Sequence, residues 1–283
     1  MISNLYPNGA WKLGTACQFW TSWVGGLPSF DNKSLKREFI DIIEEHYLLG
    51  IEGLDGPVCP NGVHGSVLGE IDRWVKGLEQ PPILWLTGLP GGEKNTIIRN
   101  IVTSMNGAGA EPAGVYTSSF LSEWWKPLPL QATLHSVFPT LSAGLAKSCP
   151  PFRERLFKVY KKDPYMFNSD GLTLNQQVEK LIFKPLRGLQ QSGVQRVIFI
   201  INDCWSDSNR EFTDNEPLHH ILDILKQHEP EIKDLGIKFF ITSGAISPVK
   251  YIADVVHRFD PEFITALTLS KEEVDIELAT GSS

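Results

Sequence analysis

The chain has 283 residues, enough for one large domain or two small ones. With 26 Lys+Arg against 33 Asp+Glu its formal net charge is −7, so it lacks the overall basic footprint of a nucleic-acid binder. A hydrophobic content of 42%, with 8 Trp and 15 Phe, supplies a globular core and excludes wholesale disorder. Its four cysteines, Cys17, Cys59, Cys149 and Cys204, lack C-x-x-C spacing. They suggest neither a zinc site nor a disulfide framework and fit reduced thiols. No apolar run reaches the roughly eighteen residues that span a bilayer, and Met1 to Ala10 has no basic-then-apolar leader pattern. The expectation is a cytoplasmic protein that does not engage membranes.

Met1 to Gly26, rich in Trp, Gly and Asn, reads as an N-terminal arm. From Leu35 to Leu49, Leu35, Phe39, Ile42, Ile43 and Leu49 recur at helical spacing opposite Lys36, Arg37, Glu44 and Glu45, which predicts an amphipathic helix. Gly50 to Gly62 is dense in Gly, Pro and Asp and reads as a linker. We therefore expect an arm with an amphipathic helix over 1–57 and a main domain over 58–283. A second helix carries Val67, Leu68, Ile71, Trp74 and Val75 to a stop at Gly77.

The stretch Pro82 to Thr96 comes next and organises the chain. An apolar strand runs into a glycine-rich turn containing Gly88, Gly91 and Gly92, then into a helix-compatible run from Ile97 to Met105. That is the layout of a phosphate-binding loop, whose pattern is G-x-x-x-x-G-K-[ST]. Gly88 and Lys94 match it; Glu93 and Asn95 stand where a glycine and a hydroxyl belong. Each departure has a physical consequence. A Glu93 carboxylate about 5 Å from a phosphate charge would repel it by roughly 3 kcal/mol at an effective dielectric near 20. Asn95 offers an amide oxygen but no hydroxyl to magnesium, which demands near-octahedral geometry. Thr96 lies one residue late, and a helical step swings it to another face. Two readings of the loop stay open, a plain strand-to-helix connection and a degenerate P-loop.

Val115 to Phe120 reads as a strand, Leu130 to Lys147 as a helix, and Pro150-Pro151 as the opening of another, since proline is tolerated in a first helical turn. Leu172 to Leu189 predicts one more helix with Leu174, Val178, Leu181, Ile182 and Leu186 inward and Pro185 kinking or breaking its last turn. Val197 to Ile201 is a continuous apolar run, typical of a strand buried on both faces of a parallel sheet. Leu218 to His228 reads as a helix, and Ile237 to Ser243 and Phe263 to Leu269 as strands. Strands separated by helices predict an α/β fold, a parallel β-sheet flanked by helices. His219-His220 have no partners at metal spacing, and Trp124-Trp125 suit a core or loop-anchoring role better than an exposed binding knob.

These segments together resemble the NACHT-type P-loop NTPases of the STAND class, in the nephrocystin-3-like form abundant in mushroom-forming fungi. The resemblance covers roughly 58–269. It is carried by Cys59-Pro60-Asn61-Gly62 before the second helix, by Phe138-Pro139-Thr140-Leu141 with Leu145-Ala146, by Pro150-Pro151-Phe152-Arg153, by Asp163-Pro164, and by Gln177 to Ile182 running to Pro185-Leu186. It implies a three-layer α/β/α P-loop NTPase fold behind an N-terminal helical arm. It places ATP or GTP against Gly88, Gly91, Gly92, Lys94, Asn95 and Thr96, with magnesium weak or absent. It also implies protein partners and a homo-oligomer.

At the catalytic positions the chain leaves the family. Asn202 takes the place of the acidic magnesium ligand after the Val197 to Ile201 strand, and Trp205 and Ser206 that of the acidic pair handling water. Gly244 stands where relatives commonly have an arginine. Phosphoryl transfer depends on positioning and on cancelling negative charge. The reading is a degenerate module with no assigned catalytic residue or metal ligand, a pseudo-NTPase acting in protein interaction or regulation. The alternative is an active NTPase with Lys94 on the phosphates, Asp203 and Thr96 toward magnesium, and Asp203 or Asp207 substituting after a register shift.

Overall fold

A computed structural model of the chain describes residues 32–51, 65–77, 79–88, 94, 96–98, 101, 114–120, 130–167, 172–192, 196–202, 217–243 and 259–269. The chain divides into a unit of residues 1–38 and one of residues 39–283. Of the first, the described part is the opening of helix α1 (Asn32–Ile51), with Leu35 buried.

In the larger unit the continuous apolar runs form the middle of one sheet. Strands β1 (Ile83–Gly88), β2 (Gly114–Phe120), β3 (Arg196–Asn202), β4 (Ile237–Ser243) and β5 (Ile264–Leu269) lie in the order β2-β3-β4-β1-β5. All four pairings are parallel. Every residue of β1 and β4 is buried, which is why neither strand alternates apolar with polar.

The chain direction sorts the helices into two layers. The β1-to-β2 connection runs toward one edge of the sheet, whereas β2-to-β3 and β3-to-β4 run back. With right-handed crossovers the two sets of helices cover opposite faces. On the first face, α2 (Gly65–Lys76) lays Val67, Ile71, Trp74 and Val75 against Leu84, Leu86, Ile198, Ile200 and Phe240. Ile97, Ile98 and Ile101, helical residues that follow Lys94, join the same cluster. On the second face come α3 (Leu130–Ser148), α4 (Pro150–Tyr160), α5 (Leu174–Val178), α6 (Lys184–Leu186), α7 (Pro217–Gln227) and α8 (Glu229–Asp234). Phe199 and Phe239 stack there at 5.2 Å. The result is the three-layer α/β fold that the sequence predicts.

One buried cation ties the first layer to the sheet. Lys238, on β4, donates to the carbonyls of Trp74 and Gly77 at the end of α2, and its ammonium lies 4.9 Å from the centre of the Trp74 ring. Orphan carbonyls at a helix C-terminus favour a positive charge, and the indole face adds to that.

The expected helix within Leu172 to Leu189 is present as one helical run from Leu174 to Leu186, and the disturbance near Pro185 takes the form of a π turn. Thr173 and Gln176 form a capping box, α5 spans Leu174–Val178, a π turn takes Glu179–Phe183, and α6 resumes over Lys184–Leu186. Pro185 lies in the last turn of this run, which ends at Leu186. A proline ring clashes with the carbonyl four residues back and cannot donate to it. The widened turn lies just before the proline, and the Leu181 carbonyl accepts instead from the Ser142 hydroxyl of α3 at 2.9 Å. Ser142→Ala should cost about 1–2 kcal/mol, read as a lower denaturant midpoint with an unchanged slope.

The second half of α1 belongs to this packing. Phe39 meets Phe157, Tyr160 and Phe167 at centroid distances of 5.2, 5.3 and 6.5 Å, and Glu44 pairs with Lys147 of α3. His46 stacks on Phe167 at 5.5 Å, and burial lowers its pKa to about 4. The unfolded chain, with an ordinary histidine, takes up the proton first as pH falls. Stability from this group is therefore complete above about pH 6.5 and is lost progressively down to about pH 4, on the order of 3 kcal/mol in all. Denaturation series across that range should show the slope, and His46→Phe, which keeps the stacking, should flatten it.

Candidate functional site at the carboxyl edge of the sheet

Because every strand points the same way, the ends of β1, β3 and β4 meet at one edge, where ligands of open α/β sheets bind. Apolar residues give way there to polar ones. Thr87, Asn202, Thr242 and Ser243 are all buried, at 0–2% exposure. They pair among themselves and with β1. Thr242 donates its hydroxyl to the Asn202 amide oxygen, and the Trp85 indole N–H donates to the Ser243 hydroxyl at 3.0 Å. Register explains the first pair, since Ile201 faces Ile241 and the next residues along are Asn202 and Thr242.

Gly88 ends β1, opposite Leu269 of β5. Lys94 is helical and 4% exposed, and its ammonium donates to the Gly88 carbonyl at 3.4 Å. The expected strand ends at Gly88 and helical residues begin by Lys94, whose side chain folds back over the strand end, while residues 89–93 between them lie outside the described residues. Thr96 is helical and half-buried. Asn202 and Thr242 share their sheet face with Ile200 and Phe240, the face that the Lys94 helix covers. The structure therefore brings Gly88, Lys94, Thr96 and Asn202 to one edge. Gly91, Gly92, Glu93, Asn95, Asp203, Trp205, Ser206, Asp207 and Gly244 lie outside the described residues.

Sequence reasoning missed Thr242 and Trp85. A signal existed, since each of the three strands closes an apolar run with polar residues, but only the register shows which of them meet. Elsewhere, His219 is buried and His220 half-buried in the first turns of α7, and among the described residues no group of three His, Cys, Asp or Glu is placed to hold a metal. Cys149 is a buried free thiol whose pKa burial pushes up, although the Phe152 amide partly opposes this. Among the described residues no helix is long and apolar enough to cross a membrane.

The family model for the N-terminal region of nephrocystin 3 matches residues 68–244, from α2 through the end of β4. The chain belongs to the nephrocystin 3 N-terminal family. This nephrocystin-3-type domain is NACHT-like in its P-loop NTPase fold. No curated protein matches it. Among solved structures it is similar to Drosophila ORC bound to poly(dA/dT) DNA and Cdc6, at 12% identity and TM-score 0.45, over 90% of this chain and 37% of that one. It is also similar to the Aeropyrum pernix ORC2 protein in ADPNP–ADP complexes, at 14% identity and TM-score 0.42, over 82% and 54% of the two chains. A third is the DnaC helicase loader, at 13% identity and TM-score 0.35, over 80% and 99%. The chain thus spans little more than half, or less, of the first two.

The polar cluster has a measurable stability role. Thr242→Val keeps the shape and removes the donor to a buried amide, so it should cost about 1–2 kcal/mol. Urea unfolding checks it: a lower midpoint with an unchanged slope is expected, and an unchanged midpoint would deny that the bond stabilises the edge.

Proposed function

We propose that this domain is a degenerate nucleotide-binding module that acts in protein interaction or regulation and hydrolyses little or no nucleotide. The observation that carries the reading is Asn202. At the end of β3, where the family implies an acidic magnesium ligand, stands a neutral amide that is 2% exposed and already accepts the Thr242 hydroxyl. An amide oxygen committed in this way brings no negative charge to a metal that prefers carboxylates and waters. Asn202 does not fit the role of magnesium ligand, and no reaction step is drawn through the metal. Lys94 supports the other half of the reading. A cation held at the strand-to-helix turn suits a phosphate at the helix N-terminus. The proposed nucleotide contacts are Gly88, Gly91, Gly92, Lys94, Asn95 and Thr96, with ATP and GTP as the two candidates.

Titration with labelled ATP and GTP, with magnesium and with chelator, tests this together with phosphate release. The expected result is binding that tolerates chelation, no release above the blank, and loss of binding in Lys94→Ala, whose fold is checked by circular dichroism. Magnesium-dependent turnover lost in Lys94→Ala would overturn the reading in favour of an active enzyme using Asp203. Absence of binding would reduce the domain to a scaffold.

A further inference from the structure

A second region gathers charge without neutralising it. Between α4, α6 and the 3-10 turn Gln190–Ser192 lies a cavity of about 330 Å3, at the lower end of the size range of small-molecule sites. Arg155, Lys158 and Lys184 line it, and Glu154 contributes the opposing carboxylate. None of the three cations makes an ion pair among the described residues, in a chain whose net charge is −7.

The guanidinium is built in. Arg155 donates at 2.9 Å to the carbonyl of Arg187 and at 2.9 Å to that of Gly188. Gly188 has φ of 75°, and a Cβ there would come within 3.3 Å of the guanidinium. The fork is thereby held in one orientation, with two of its five N–H donors used and three free for a ligand. Lys158 and Lys184 are exposed point charges that can close on an anion. Pro151 and Val159 give the cavity an apolar side, and Ser192 adds a hydroxyl.

We propose that this cavity binds a small phosphate ester. Three cations against one carboxylate leave two positive charges, which match a doubly charged phosphate better than a single carboxylate. A planar guanidinium fork with mobile ammonium groups is the donor set that phosphate oxygens accept from. The apolar side and the volume accommodate a small organic group beyond the phosphate.

The test compares the wild-type protein with Lys158→Gln/Lys184→Gln, an exposed pair whose loss leaves the Lys94 edge intact, so any phosphate held there is the same in both. Calorimetric titration with phenyl phosphate at low salt should give the wild type a saturable binding phase that the double variant lacks or shows at least tenfold weaker, and that is tighter than the one for inorganic phosphate or benzoate. The double variant should keep its melting temperature, and the wild-type affinity should fall with added salt. Equal affinity in the two proteins, or no saturable binding to either, would overturn the proposal. Arg155→Lys, which keeps the charge and loses the fork, should also weaken phenyl phosphate binding, and undiminished affinity there would deny the guanidinium its role.

Discussion

The rest of the fold hangs on the complete burial of β1. All six of its residues are out of water, so its backbone N–H and C=O groups must find partners within the protein. They find them on both sides, in β4 and in β5. A slip of one residue would turn Leu84 and Leu86 away from the cluster with Ile97 and Ile98, and Trp85 away from Ser243. The pairing therefore fixes where the strand stops, and with it Gly88, whose carbonyl accepts from Lys94.

Strands were legible wherever an apolar run exceeded what one buried face requires. Val197 to Ile201 and Ile237 to Ser243 have no polar alternation, and both lie in the middle of the sheet. Helices were legible from their stripes, as with Val67, Ile71, Trp74 and Val75. Around Pro185 the helix and its disturbance were legible, but the form of that disturbance was not. Its outcome depended on a hydroxyl 39 residues earlier in the chain, at Ser142, and no local signal encodes that contact. The candidate site was legible to the same degree. Lys94 and Asn202 stand out in a single sequence because a pattern specifies their positions, whereas Thr242 acquires meaning only through the register that sets it beside Asn202.

Fold and chemistry occupy different residues in this domain. The family match runs over residues 68–244, from the first-layer helix to the end of β4, while the positions that the proposed reading assigns to nucleotide chemistry fall at strand ends and in the loops beyond them. At the end of β3 the residue present has found a local partner in place of a distant ligand. In the proposed reading, an amide that serves its neighbour stabilises the sheet edge that a carboxylate would have strained. Two like-charged oxygens beside a hydroxyl and a buried backbone would need a cation to be comfortable.

Lys238 sets a limit on how small the protein can be made. Its ammonium is buried, and the carbonyls that satisfy it belong to the last turn of α2 and the residue after it. A version trimmed to begin at the first strand would take away both of those carbonyls and the indole beside the charge. The helix before the sheet is therefore no dispensable preface: its last turn is the counterpart of a charge carried more than 160 residues later.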